Sequence, residues 1–235
     1  MNALEIVQEA CRRVGDAVPN TAANSTDPKV TQMLSLLNEE GRDLSSRFDW
    51  TNLQTEATFT SVATVSQGAL STLAPGFRRF ISETMWNRSQ QREAPGPITP
   101  RQYQRLKSGL ASLIDPAWYV RGGNLMLQPA PAAGQSYSFE YIDKRWAVAA
   151  DATRKEQFTR DDDTHLLDDD ALLLGLIWRW RQVKGLEYAE DFTKAERKVS
   201  SLMGEDGSAP DMFLHGGTFM DDFGVPTIPD GNWTV

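Results

Sequence analysis

The stretch DDDTHLLDDDALLLGLIWRWRQVKG, Asp161 to Gly185, decides how the chain folds. It opens on acids and closes on Arg179, Arg181 and Lys184 ahead of a glycine. That order complements a helix dipole, and Gly185 suits the left-handed position just past a helix end. The middle, Ala171 to Trp178, is apolar on nearly every face of a helix, which predicts burial on more than one side. Its neighbours are expected to be other helices, including those of adjacent subunits. Eight residues do not cross a bilayer, which takes about 20. A last helix follows, with Tyr188, Phe192, Ala195, Val199 and Leu202 at helical spacing, and is expected to stop at Gly204.

Upstream, Leu4, Val7, Cys11 and Val14 form one apolar stripe ending at Gly15. Asp27 and Pro28 suit the cap and first turn of a second helix, which Val30, Met33 or Leu34, Leu37, Leu44 and Phe48 continue, with Gly41 weakening its middle. From Trp50 to about Val148 the texture changes. TEATFTSVATVS alternates at period two, FRRFISETMWN reads as a strand, and Thr99–Pro100 caps a short helix carrying Tyr103 and Leu106. AWYVRGGNLMLQPAP reads as a hairpin turned at Gly122–Gly123–Asn124, and SYSFEYIDKRWAV as a strand with Tyr137, Phe139 and Tyr141 on one face. The expected class is α+β: a bundle of about four helices with an inserted small antiparallel β module and an extended tail. The expected divisions are 1–49, 50–150, 151–203 and 204–235.

The chain has 235 residues, enough to bury a core, and one cysteine, Cys11, which suits a reducing compartment. The opening MNALEIVQEACRRVG carries acids and a helical period, unlike a secretory or transit leader. The formal net charge is −8, which opposes tight binding to nucleic acid. From Gly204 onward there are six acids (Glu205, Asp206, Asp211, Asp221, Asp222 and Asp230) and no Lys or Arg. The excess sits at the end of the chain.

Chemical motifs are scarce. Asp161, Asp163, His165 and Asp169 are the candidate ligands of a metal-dependent hydrolytic site in the Asp161–Asp170 cluster. The competing expectation is capping and dipole compensation at the start of a buried helix, because a calcium loop would need a glycine that is absent. His165 and His215 are the only histidines, with no HExxH, CxxC or G-x-S-x-G and no phosphate-cradling glycine loop. Cys11 lies on an apolar stripe, where an inert buried thiol is expected. FRRF and WRWR mix arginine with aromatics as base-stacking surfaces do. In WRWR, however, the arginines are expected to serve the helix C-terminus. No cofactor, metal or catalytic residue is implied.

The succession ITPRQYQRLKSGLASLIDPAWYVRGGNLMLQPAPAAGQSYSFEYIDKRW, from Ile98 to Trp146, sets a short Tyr-bearing helix before two aromatic strands, a Gly–Asn turn and EYI. Together with the paired N-terminal helices, Trp178–Arg179–Trp180 and the Gly185–Tyr188 turn, it resembles the head-to-tail adaptors (connector or tail accessory factors) of tailed bacteriophages, most like those of short-tailed phages. The resemblance covers roughly residues 1–203. It implies a structural virion protein of the neck, assembled in the host cytoplasm and without enzymatic activity. It further implies a ring of about twelve copies, placed between the portal protein and the tail nozzle or tail tube. Genomic DNA would pass through without tight binding, which the negative balance suits. Another neck or tail-completion protein of the same plan is the alternative, and no membrane is involved.

The tail completes the reading. Phe213, Leu214, Phe219, Phe223, Val225, Ile228 and Trp233 lie among glycines and prolines without a sustained period. Such a segment does not offset its ordering entropy alone. Laid in a partner's groove, each large apolar side chain contributes roughly 1.5–3 kcal/mol. These seven are the predicted partner-binding residues, for the portal or a neighbouring adaptor. The competing expectation is a tail that folds back over its own β module.

Overall fold

The computed structural model describes residues 1–108 and 115–207. In chain order these form α1 (Ala3–Val14), α2 (Pro28–Arg47), β1 (Gln54–Thr60), β2 (Ser66–Ala69), α3 (Leu70–Leu73), β3 (Phe77–Phe80), β4 (Trp86–Asn87), β5 (Arg92–Glu93) and α4 (Pro100–Lys107). After the second described stretch begins come β6 (Ala117–Arg121), β7 (Asn124–Gln128), β8 (Ser136–Asp143), β9 (Ala147–Val148), β10 (Arg154–Lys155), β11 (Thr164–His165), α5 (Asp169–Val183) and α6 (Ala189–Asp206). Helices and antiparallel sheets share the chain, as the α+β expectation has it.

Helix α5 is the hub. Ala171, Leu172, Leu173, Gly175, Leu176, Ile177, Trp178 and Trp180 are buried, and α1, α2 and α6 all pack on it. The expected cover is therefore present, but it comes from the same chain; no adjacent subunit is needed to bury these residues. Each buried Leu or Ile contributes roughly 1.5–3 kcal/mol, so one helix gathers much of the core. Asp168 caps it by accepting from the Ala171 amide at 2.9 Å. At the other end Gly185 takes φ +69° and Leu186 N–H donates to the Arg181 carbonyl at 2.9 Å, the closure expected of a glycine stop.

Two glycines let neighbours approach this hub. A Cβ at Gly175 would overlap the Glu40 side chain, and one at Gly41 would overlap the Trp146 indole. Gly41 is thus not a weak point of α2 but the notch that seats a fully buried tryptophan. The cost of glycine in a helix, about 1 kcal/mol, is accepted for that contact.

The β module is organised by β8. It pairs antiparallel with β1 over seven register positions from Gln54–Ile142 to Thr60–Ser136, and with β3 and β4 along its other edge. A strand with both edges paired is buried along nearly its whole length, so SYSFEYID loses the simple alternation of a surface strand. Tyr137, Phe139 and Tyr141 enter one aromatic core with Phe59, Trp118, Leu125 and Leu127. A second sheet, β2-β7-β6, closes on the two-residue turn Gly122–Gly123, with φ +59° and +76°. Positive φ at both positions is what a type I′ hairpin requires.

Two expectations are corrected. FRRFISETMWN is not one strand: β3 reaches the end of β8 and β4 its start, and the chain between them turns at Glu83 with φ +61°. Helix α6 does not stop at Gly204 but runs to Asp206. Leu202 and Met203 pack on the core there, and Asp206 accepts the Thr51 amide at 2.8 Å. Tertiary contact outweighs the glycine. The expected short helix after Thr99 is present, with Thr99 and Gln102 in a reciprocal capping box.

Replacing Gly41 by Ala should lower stability by about 1–3 kcal/mol, because overpacking against Trp146 exceeds the gain in helix propensity. A denaturant midpoint unchanged or raised in Gly41→Ala would remove the notch.

Candidate interaction surfaces

The acidic run before α5 is built into the fold residue by residue. Asp161 accepts from the Ala22 and Ala23 amides at 2.8 and 2.7 Å and from the Thr21 hydroxyl at 2.5 Å. Asp163, with no exposed side-chain surface, takes Lys155 Nζ at 2.8 Å and the amides of Thr159 and Arg160 at 2.7 and 2.9 Å. Their carbonyls meanwhile receive the Ala3 and Leu4 amides at the start of α1. Asp168 caps α5, and Asp169 lies 2.7 Å from the Met1 ammonium and 2.9 Å from the Nε2 of the buried His165. Asp170 extends toward Lys198. The carboxylates diverge. Among the described residues no three His, Cys, Asp or Glu side chains converge as a metal site, and His215 lies outside those residues.

The protonation equilibria follow from these contacts. Burial opposes the charge on Asp163, but Lys155 and two backbone donors prevail and hold its carboxyl below the ordinary value. Asp161 is lowered in the same way, its burial outweighed by Thr21 and the two amides. Burial depresses His165, with Asp169 opposing. Burial of the Cys11 thiol raises its pKa, and the residue lies buried on α1.

The two arginine–aromatic motifs do structural work too. Arg179 is not a helix cap. It crosses to α2, where Glu39, Glu40 and Asp43 accept from it at 2.6, 2.5 and 3.0 Å. Burial raises the Glu40 carboxyl, while the guanidinium opposes that shift. Arg78 of FRRF caps α2 by donating to the Ser45 and Ser46 carbonyls at 2.8 and 3.1 Å, and Arg79 pairs with Asp49. This clasp joins the β module to the helices.

Two surfaces gather apolar side chains at or near the exterior, the second of them with Trp118 and Tyr119 themselves buried. At the α5–α6 corner, Val183, Leu186, Tyr188 and Phe192 are 51, 56, 37 and 40% exposed, beside Trp178, whose ring meets Phe192 edge-on at 5.2 Å. Tyr188 and Phe192 belong to the predicted helical stripe, but only Ala195 and Val199 of it are fully buried. The other surface is a groove of about 600 Å³ on the β module, lined by Phe80, Pro97, Ile98, Tyr103, Trp118 and Tyr119 among others. The groove was not legible in the sequence, because Phe80, Tyr103 and Trp118 meet only through the fold. The seven predicted tail residues (Phe213, Leu214, Phe219, Phe223, Val225, Ile228 and Trp233) lie outside the described residues.

A family model described as SU10 adaptor protein matches residues 1–208. The chain belongs to the SU10 adaptor protein family. This is a family of phage head-to-tail adaptors, so the protein is a structural component of the virion neck that engages portal and tail components. No curated protein matches the sequence. The adaptor has no helix, among the described residues, long and apolar enough to cross a membrane.

Asp163→Asn should cost about 3 kcal/mol by leaving Lys155 and two amides without their charged acceptor, whereas exposed Asp162→Asn should stay within about 0.5 kcal/mol. Equal effects in urea unfolding would dissolve the distinction. Because the folded carboxyls of Asp161 and Asp163 lie below the ordinary value of about 3.9, their stabilisation is complete above that pH and is lost as pH falls through the folded values. Acid titration should therefore lower the unfolding midpoint, and less so in Asp163→Asn. A midpoint flat down to pH of about 2 would contradict the assignment.

Proposed function

We propose that this adaptor forms a closed ring, of about twelve copies, beneath the portal of a tailed phage. Its C-terminal segment docks the ring to its neighbours and its lumen passes the genome. The observation that carries the reading is the extent of the family match, which ends at residue 208, just beyond α6 at Asp206. A folded body shared with other adaptors is followed by a segment of different character, rich in aromatics, glycine and proline and devoid of Lys and Arg. Ordering on a partner is how such a segment recovers its entropy cost.

The apolar corner at Val183, Leu186, Tyr188 and Phe192 supplies a contact for the next subunit: exposed clusters of this kind mark interaction sites. The charge balance suits passage of DNA, since a surface with excess acid repels phosphates and does not hold the duplex by counterion release. No step of this function needs bond chemistry, and the ordered carboxylates before α5 are already engaged in the fold. The partner-binding residues remain Phe213, Leu214, Phe219, Phe223, Val225, Ile228 and Trp233. Portal and tail nozzle or tail tube are the partners, and assembly takes place in the host cytoplasm.

Mixing the full chain with the cognate portal should give, in electron micrographs, a second ring stacked on the portal. Truncation after Gly207, which leaves α6 whole, should abolish that stack. Undiminished stacking by the truncated chain would refute docking through the tail.

A further inference from the structure

The groove on the β module has a character that nothing in the helical body explains. Tyr103 of α4 packs at a tilt of 42° against Tyr119 of β6 with centroids 4.6 Å apart, and the Trp118 ring lies 4.5 Å from that of Phe80. Pro97 and Pro100 complete an aromatic and proline wall. Trp118 Nε1 is buried and has no hydrogen-bond partner among the described residues. The rim is basic. Arg121 lines the groove and Lys107 acts on Tyr103 with it. Arg101 and Arg105 flank Tyr103 along α4, none of the four is in an ion pair among the described residues, and no acid occurs from Pro97 to Ile114. In a chain of net charge −8, such a local positive excess selects an acidic ligand.

The C-terminal sequence has the matching chemistry. DDFGVPTIPDGNW, Asp221 to Trp233, sets a Pro-x-x-Pro step, Pro226 to Pro229, between acids on both sides. Aromatic-lined grooves receive Pro-x-x-Pro segments, because a polyproline II strand is pre-ordered and its prolines slot between rings. Where grooves of that kind carry acids and their ligands bases, the charges here are reversed: the four acids of 208–235 have no Lys or Arg beside them. Reach is sufficient. Gly207 follows Asp206, which is tied to Thr51 at the foot of β1. Residues 208–225 span up to roughly 60 Å when extended, beyond the roughly 40 Å breadth of a domain of this size. A tethered ligand also meets its site at an effective concentration in the millimolar range.

We propose that the groove lined by Tyr103, Trp118 and Tyr119 holds the chain's own Pro226–Pro229 segment in the free subunit. The inference rests on reading this segment as the docking arm. It adds where that arm stays before a partner competes for it, with Ile228 and Trp233 covered and the aspartates against the basic rim. Release to the portal is then an exchange of one groove for another.

Zero-length carbodiimide coupling of the full chain at low concentration tests this. The tail has acids and no lysine, and Lys107, at the end of α4, acts on the groove residue Tyr103. Peptide mass spectrometry should find Asp221, Asp222 or Asp230 joined chiefly to Lys107, within one chain when unlabelled and heavy-isotope protein are mixed. The product should be lost in Pro226→Ala/Pro229→Ala. Coupling spread over the lysines of the helices, coupling between light and heavy chains, or coupling that survives the proline substitutions would each overturn the proposal. Portal stacking is a separate readout: failed coupling with intact stacking sinks the groove alone, and failed stacking with intact coupling sinks the ring.

Discussion

Everything in the described fold depends on covering one helix that has almost no polar face. Helix α5 buries Leu172, Leu173, Leu176, Ile177 and Trp180, and no single neighbour can shield so broad an apolar surface. Three can: α1, α2 and α6 close around it. Its one deeply placed cation, Arg179, is neutralised by three acids of α2. Without them a nearly buried guanidinium would be costly. Gly175 and Gly41 set the distances at which this packing is reached. The ordered aspartates before α5 hold the start of α1 in place, so the same hub fixes the N-terminal helix.

This arrangement separates two tasks. The helices make a body that is closed on itself, while the β module clasps it through Arg78 and Arg79 and presents an aromatic groove and a basic rim. Apolar side chains that the body does not need, at the α5–α6 corner, are left outward. An adaptor has to be stable alone yet ready to engage its neighbours, and a closed core with a few exposed patches meets both demands.

Local rules made much of the fold readable before any coordinates. The charge order and glycine stop of α5, the Thr99–Gln102 capping box and the Gly122–Gly123 turn each follow from a few adjacent residues, and each is where the sequence places it. What escaped was non-local. Arg179 looked like a helix cap because its acids lie well over a hundred residues away. Gly41 looked like a flaw because Trp146, which needs the notch, comes from beyond β8. Gly204 looked like a stop because the contacts of Leu202, Met203 and Asp206 are tertiary. Of the metal candidates, Asp161 and Asp163 are close in sequence but face different partners, and only His165 and Asp169 meet each other. The groove was invisible for the same reason: assembled from Phe80, Tyr103 and Trp118, it has no linear signature.

Native-state hydrogen exchange across α5 probes the central claim most directly. If the chain's own helices supply the cover, the amides of Leu172 to Trp180 should be among the slowest in the protein. Their protection should not change between dilute subunit and assembled neck, since sub-global opening of a core element approaches the global free energy. Rapid exchange in α5 of the dilute subunit, slowed only on assembly, would show that neighbouring chains complete the core and that the body is not closed on itself.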